Sequence, residues 1–426
     1  MAEVFAVAVF VAVLLVIAAE LVNRTVAALL GAAVVISFGV VGQHEAAVKF
    51  IDWNTIGLLA GMMVMVAILN QTGLFEYLAI KSAQWGKARP GRILVLLSVT
   101  TAVLSAFLDN VTTVILMVPV TFLIADTLRV SPVPFLLAQV MASNVGGAAT
   151  LIGDPPNILI GSAAGLSFTD FVSNLAPVVI LSLPVVLTYL YVVFRRDLRY
   201  SKGAEADVQR LDARGAIRDA VLLRKSLLVL GAVVGAFFLH GFLHLEAATV
   251  ALFGAAVLML YARSDVEKVL RDVEWPTLLF FVGLFVLVGG LQATGAVGRI
   301  AQLLAGIGEP TSVATAVAII WGSAFASGIV DNIPFTATMV PVIKELAQAQ
   351  GLSDAEIRPL WWALALGADF GGNATLIGAS ANVVVAGMSE RAGRRISFFR
   401  FMIYGIPVTV LSLVVATAYV LLRYYV

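Results

Sequence analysis

The sequence predicts an all-α polytopic membrane protein built from two inverted repeats, with ten crossings, two re-entrant hairpins and two broken helices. Three observations carry this. Hydrophobic residues make up 61% of the 426-residue chain and charged residues 12%, and mean hydropathy is +1.00, so most of the length belongs in hydrocarbon. Several apolar segments nonetheless carry Asn, Asp, Gly and Pro in mid-course, as in SNVGGAATLIGDPPNILIG at 143–161. Finally, the two halves repeat the same motifs in the same order.

Composition also excludes several functions. A net charge of +1 leaves no basic surface for nucleic acid. The absence of cysteine removes disulfides, thiolate metal sites and cysteine nucleophiles. No metal triad and no nucleophile–base pair stands out, so neither an enzyme nor a cofactor is expected.

A crossing needs roughly 20 apolar residues. The first, at 3–20, lacks a basic n-region and a small-residue cleavage site, and reads as a retained helix. Further crossings fall near 25–41, 54–72, 133–163, 171–194, 226–242, 246–262, 275–292, 359–388 and 400–423. The apolar segments at about 92–126 and 309–345 are interrupted by FLDNVTT and IVDNIPFT, and each predicts two half-helices forming a hairpin. This gives N-terminal helices at 1–51, a first repeat at 52–194, a cytoplasmic linker of mixed charge at 195–225 and a second half at 226–426. The broken crossings are those at about 133–163 and 359–388.

The repeat is read directly. DWNTIGLLAGMMVMVAILNQTG at 52–73 matches EWPTLLFFVGLFVLVGGLQATG at 274–295, and Asp109-Asn110 and Pro119 follow it at the spacing of Asp331-Asn332 and Pro341. GGAATLIG at 146–153 matches GGNATLIG at 371–378, and SFTDFVSNLAP at 167–177 pairs with SFFRFMIYGIP at 397–407. Each half holds five crossings, an odd number, so the second half is inverted. Inverted repeats with broken helices are the architecture of secondary transporters, whose substrate lies near the midplane. Backbone that leaves the helix at that depth survives only where protein or a water-filled cavity satisfies it.

Candidate site residues sit at these interruptions. The hairpin tips offer Asp109, Asn110, Thr112 and Thr113, and Asp331, Asn332 and Thr336. The broken crossings offer Asn144, Thr150, Asp154 and Asn157, and Asp369, Asn373, Thr375, Ser380 and Asn382. A carboxylate at membrane depth costs ~2.5–3.5 kcal/mol on insertion scales and points to function. The four aspartates are therefore the candidates for proton coupling. A plainer role competes at Asp154, which precedes Pro155 as a helix N-cap would. The acids are distributed unequally: Asp369 stands where the first half has Asn144, and Asp154 where the second has Ala379.

LDNVTTVILMVPVT, SNVGGAATLIGDPPN, SGIVDNIPFTATMVP and WWALALGADFGGNATLIGASANVV resemble the signature segments of the arsenite permease ArsB family. That family belongs to the ion transporter superfamily, with NhaD-type sodium/proton antiporters and the melanosomal P protein among its relatives. The resemblance implies a scaffold and a mobile transport domain, an elevator-like motion, a homodimer and a cytoplasmic ATPase partner. It further implies efflux of arsenite or antimonite against counter-transported protons, for which Asn, Thr and Ser groups suit a neutral trihydroxide. Sodium/proton antiport is the alternative, with the same oxygens forming a hard-cation cage. A dicarboxylate transporter fits less well, since pocket acids would repel its substrate. An ion channel usually shares its filter among subunits.

With hairpins that enter and leave on one side, all but five of the 27 Lys and Arg residues fall on the same face. The exceptions are Lys49, Arg299, Lys344, Arg358 and Arg423. By the positive-inside rule that face is cytoplasmic, in an inner (plasma) membrane with both termini outward. Single cysteines at Arg89 and Arg214 should react with impermeant thiol reagents only from the cytoplasmic side, and one at Gly308 only from outside. The reverse pattern would overturn the topology.

Overall fold

The structure, a computed structural model, describes the chain except residues 20, 199–203, 244, 307–308 and 310, and the side chains of 204–205 and 240–243. Gly308 and part of the linker therefore lie outside the described residues. All regular secondary structure among the described residues is helical.

The first half runs α1 (Ala2–Ala18), α2 (Arg24–Ser37), α3 (Trp53–Asn70), α4 (Leu74–Trp85), α5 (Pro90–Ser105), α6 (Asn110–Leu128), α7 (Val133–Gly147), α8 (Pro155–Ala164), α9 (Phe168–Asn174) and α10 (Ala176–Phe194). The second half runs α11 (Ala220–Leu243), α12 (Ala247–Ala262), α13 (Trp275–Ala293), α14 (Ala296–Ala305), α15 (Val313–Val330), α16 (Asn332–Gln350), α17 (Asp354–Gly371), α18 (Ser380–Arg391) and α19 (Phe398–Tyr424). Short helices lie in the connections. Seven of the helices are long and apolar enough to cross a membrane, and α1, α2, α5, α7, α12 and α14 are shorter apolar helices.

Helix ends follow local chemistry. Asp109 starts α6 by accepting from the Thr112 amide at 3.0 Å, and Asp331 starts α16 by accepting from the Ile333 amide at 3.0 Å. Pro155 opens α8, where its missing N–H costs no hydrogen bond. Gly73 and Gly295, at φ 80° and 79°, turn the chain from α3 into α4 and from α13 into α14. Such left-handed backbone strongly favours glycine.

The hairpin arms differ from the half-helices expected from the sequence. α5 and α6 have 16 and 19 residues, and α15 and α16 have 18 and 19. At 1.5 Å per residue these arms are about 24–28 Å long, and α6 and α15 each meet the requirements for a crossing. The tips carry the helix-breaking chemistry, whereas Pro119 and Pro341 fall inside continuous helices and remove only local hydrogen bonds.

Glycine sets the helix spacing. A Cβ on Gly146 would lie 2.2 Å from the Ala102 carbonyl oxygen, and one on its counterpart Gly371 2.5 Å from the Ala324 Cα. Each broken helix thus packs against the first arm of its own hairpin at backbone contact. Between the halves the rule repeats: a Cβ on Gly61 of α3 would meet the Ala251 carbonyl carbon of α12 at 2.6 Å, and one on Gly283 of α13 the Ala28 carbonyl carbon of α2 at 2.7 Å. The outer helices are in this way exchanged, α2 against α13 and α12 against α3.

Replacing Gly371 by Val should therefore cost about 1–3 kcal/mol or more, because the contact is with backbone that cannot rotate away. Thermal unfolding in detergent would read this out. Gly387→Val, where no atom lies within 4 Å of the new Cβ, should leave the transition nearly unmoved.

Candidate functional site

The two hairpin tips and the two helix breaks meet inside the molecule. The meeting point is Asp154, which is fully buried. It occupies the N-cap position of α8 but makes no side-chain capping bond, so the plainer role set against it is not the one its carboxylate takes. Its Oδ2 accepts from Asn110 Nδ2 at 2.7 Å, and its Oδ1 from Asn332 Nδ2 at 3.1 Å. One carboxylate thus holds both tips.

An amide chain extends from it. Asn110 Nδ2 also reaches Asn144 Oδ1 at 3.3 Å. Asn144 Nδ2 donates to Asn373 Oδ1 at 2.9 Å and Asn382 Oδ1 at 3.0 Å, crossing from one half to the other. Asn373 Nδ2 donates back to the Met141 carbonyl at 3.2 Å.

A second set of polar groups satisfies the opened backbone. Asn157 Nδ2 donates to the carbonyls of Gly147 at 3.4 Å and Thr150 at 3.0 Å. Its counterpart Asn382 donates to those of Gly372 at 2.7 Å and Thr375 at 2.9 Å. Thr150 bonds the Ala106 carbonyl, and Thr375 the Gly328 carbonyl at 2.6 Å. Ser105 bonds the Ser143 carbonyl at 2.8 Å, and Ser327 that of Ala368 at 2.7 Å. These paired bonds replace what the helix breaks give up, as the membrane interior requires.

The remaining predicted residues lie at the rim or stand without partners. Asp331, at φ 92°, is a strained non-glycine residue. Its Oδ2 accepts from Ser380 at 2.9 Å and lies 3.9 Å from Arg24 Nη1. Thr112 donates to Glu274 Oε1 at 3.4 Å, beside Asp109. Thr113, Thr336 and Asp369 are buried, and the hydroxyls and both carboxylate oxygens have no hydrogen-bond partner among the described residues.

Arg24, Thr277 and Glu274 at the rim were missed from sequence, as were Ser105 and Ser327 beside the breaks. Arg24 contacts Ser380 and donates to Thr277 at 3.3 Å, with Phe280 beneath its guanidinium at 5.2 Å. Glu274 accepts from Thr277 at 3.2 Å. Arg24 read as a positive-inside residue. The signal for Glu274 was its place opposite Asp52 in the repeat. A cavity of about 320 Å³, lined in part by Arg24, Asp331, Ser380 and Val384, leads to this rim.

Buried carboxylates held by tips and breaks in a helical membrane protein define a membrane transporter. The chain belongs to the CitMHS family, described as citrate transporters, whose model matches residues 12–367. It is 47% identical over 427 residues to an uncharacterized transporter of Mycobacterium tuberculosis, covering 100% of this chain and 99% of that one. It is 36% identical to the P protein of Mus musculus over 502 residues, 99% of this chain and 60% of that protein. The fold is shared with the YdaH transporter of Alcanivorax borkumensis, at TM-score 0.58 and 15% identity over 88% of this chain and 86% of that one. The family is thus CitMHS within the ion transporter superfamily, where the sequence motifs had pointed to the arsenite permeases.

Asn332→Ala removes one of the two amides on Asp154. It should lower stability by about 1–3 kcal/mol, the cost of leaving a buried polar group short of a partner. Denaturation in detergent measures it, and an unchanged midpoint would mean that the tip does not depend on this bond.

Proposed function

We propose that the protein is a secondary transporter that exchanges a small hard cation, with sodium as the first candidate, for protons. The observation that carries this is Asp154: a fully buried carboxylate gripped by amides from both hairpins, with no basic side chain paired to it among the described residues. Protons and cations compete for such a group, and a buried carboxylate left without compensation is costly. Arg24, the basic residue at the rim, is already engaged with Asp331 and Ser380. A free citrate anion would therefore meet several carboxylates and no spare cation there.

Efflux of arsenite or antimonite against protons is the second reading. The buried Thr113 and Thr336 hydroxyls, which lack partners, favour it, since a neutral trihydroxide could use them. Against it, the amides of Asn144, Asn373 and Asn382 are spent on each other and on backbone.

In either reading the hairpins and broken helices move as one body against α2, α3, α12 and α13, in an elevator-like exchange within a homodimer in the plasma membrane. Arg24, Thr277 and Glu274 form the polar seam between these parts. An ATPase partner would have to act at the cytoplasmic face.

Flux into everted vesicles, with sodium, lithium, arsenite, antimonite and citrate compared side by side, tests the choice. Sodium or lithium uptake that dissipates a proton gradient is expected, and Asp154→Asn should abolish it while leaving folded protein in the membrane. Citrate or arsenite flux without cation exchange would remove the proposal.

A further inference from the structure

The repeat places an amide and an acid in the same setting. In one half, Asn382 spends its Nδ2 on two backbone carbonyls, which turns its Oδ1 toward Asn144, and Asn144 Nδ2 fills that acceptor at 3.0 Å. In the other half, Asn157 spends its Nδ2 on the matching carbonyls of Gly147 and Thr150. Its Oδ1 is thereby committed to the opposite side. The residue standing where Asn144 stands is Asp369, which has no amide hydrogen to give.

By the repeat, Asp369 stands to Asn157 as Asn144 stands to Asn382. Yet Asp369 Oδ1, Asp369 Oδ2 and Asn157 Oδ1 all lack a donor among the described residues, and both residues are fully buried. Two acceptors facing each other out of water repel, and an ionised carboxylate with no donor there is strongly disfavoured. Flipping the Asn157 amide gives no relief, because its oxygen would then face two carbonyl oxygens.

The surroundings supply no compensating charge. α7, α8 and α15 carry no charged residue. On α16 and α19 the charged groups are Lys344, Glu345, Arg400 and Arg423, and none is paired with Asp369. Asp154, likewise fully buried, is an acid of the same sign.

We infer that Asp369 carries a proton in this state and donates it to Asn157 Oδ1, so that the pair is a proton seat separate from Asp154. The O–H takes the place of the Asn144 N–H, with one heavy atom exchanged between the halves. Resting on the cation-exchange reading above, this proton is the one released when the cation enters: the Asp369 O–H bond breaks, the proton leaves to water, and the carboxylate left behind balances the incoming charge.

The test uses the full chain in lipid. Infrared spectra at neutral pH should show the carbonyl stretch of an un-ionised carboxyl in the wild type, and Asp369→Asn should remove that band. Because the new amide can donate to Asn157 as Asn144 does to Asn382, thermal stability should be kept or raised, whereas Asp369→Ala should lower it. Cation flux in Asp369→Asn should lose its dependence on a proton gradient. A wild type without the band, or a band of unchanged intensity in Asp369→Asn, overturns the proton's placement. Wild-type proton coupling in Asp369→Asn overturns its part in exchange. If the band behaves as expected but the wild type moves no cation, the exchange reading fails and the protonated pair stands.

Discussion

The constraint on which the rest of the structure depends is that backbone cannot leave a helix in a membrane interior without finding new partners. Asp154 draws together the tips and breaks at which that happens. Its two oxygens take the amides at the tips of both hairpins, 44 and 178 residues away in sequence. The carboxylate therefore joins two halves that Asn144 also bridges through Asn373 and Asn382. Loss of its oxygens would loosen both tips together, since the amide of each tip donates to one of them.

Much of this was legible in the sequence, for physical reasons. Polar residues inside apolar segments are costly enough that their position alone marks the tips and breaks, and the duplicated motifs show which tip matches which break. What the sequence does not contain is the choice of partner. Asp154 before Pro155 has the form of a helix cap, and only the approach of Asn110 and Asn332 gives it another task. Arg24 and Glu274 were missed because each stands at the start of an apolar helix, where orientation or capping accounts for a charge just as well.

The departures from symmetry say more than the symmetry does. Asn157 and Asn382, Thr150 and Thr375, and Ser105 and Ser327 do the same work in both halves. They are the frame. Asp154 has Ala379 as its counterpart and Asp369 has Asn144, so the acids are where the halves diverge. The rim is unequal too, for α2 opens on Arg24 whereas α12 opens on Ala247. The matched neutral bonds form a common frame, and the unmatched acids are set upon it.

The glycine contacts between α5 and α7, and between α15 and α17, have a consequence for solvation. Backbones in direct contact cannot slide past each other by small side-chain adjustments, so each hairpin arm and its broken helix keep their relative positions whenever either moves. In an elevator-like cycle, an ion seated among the tips and breaks would then travel with its own set of oxygens. It would shed its water once on entry and regain it once on release, while the passage between sides would be limited by the surrounding helices giving way. The speed of such a protein would be set by a seam of side chains the ion never touches.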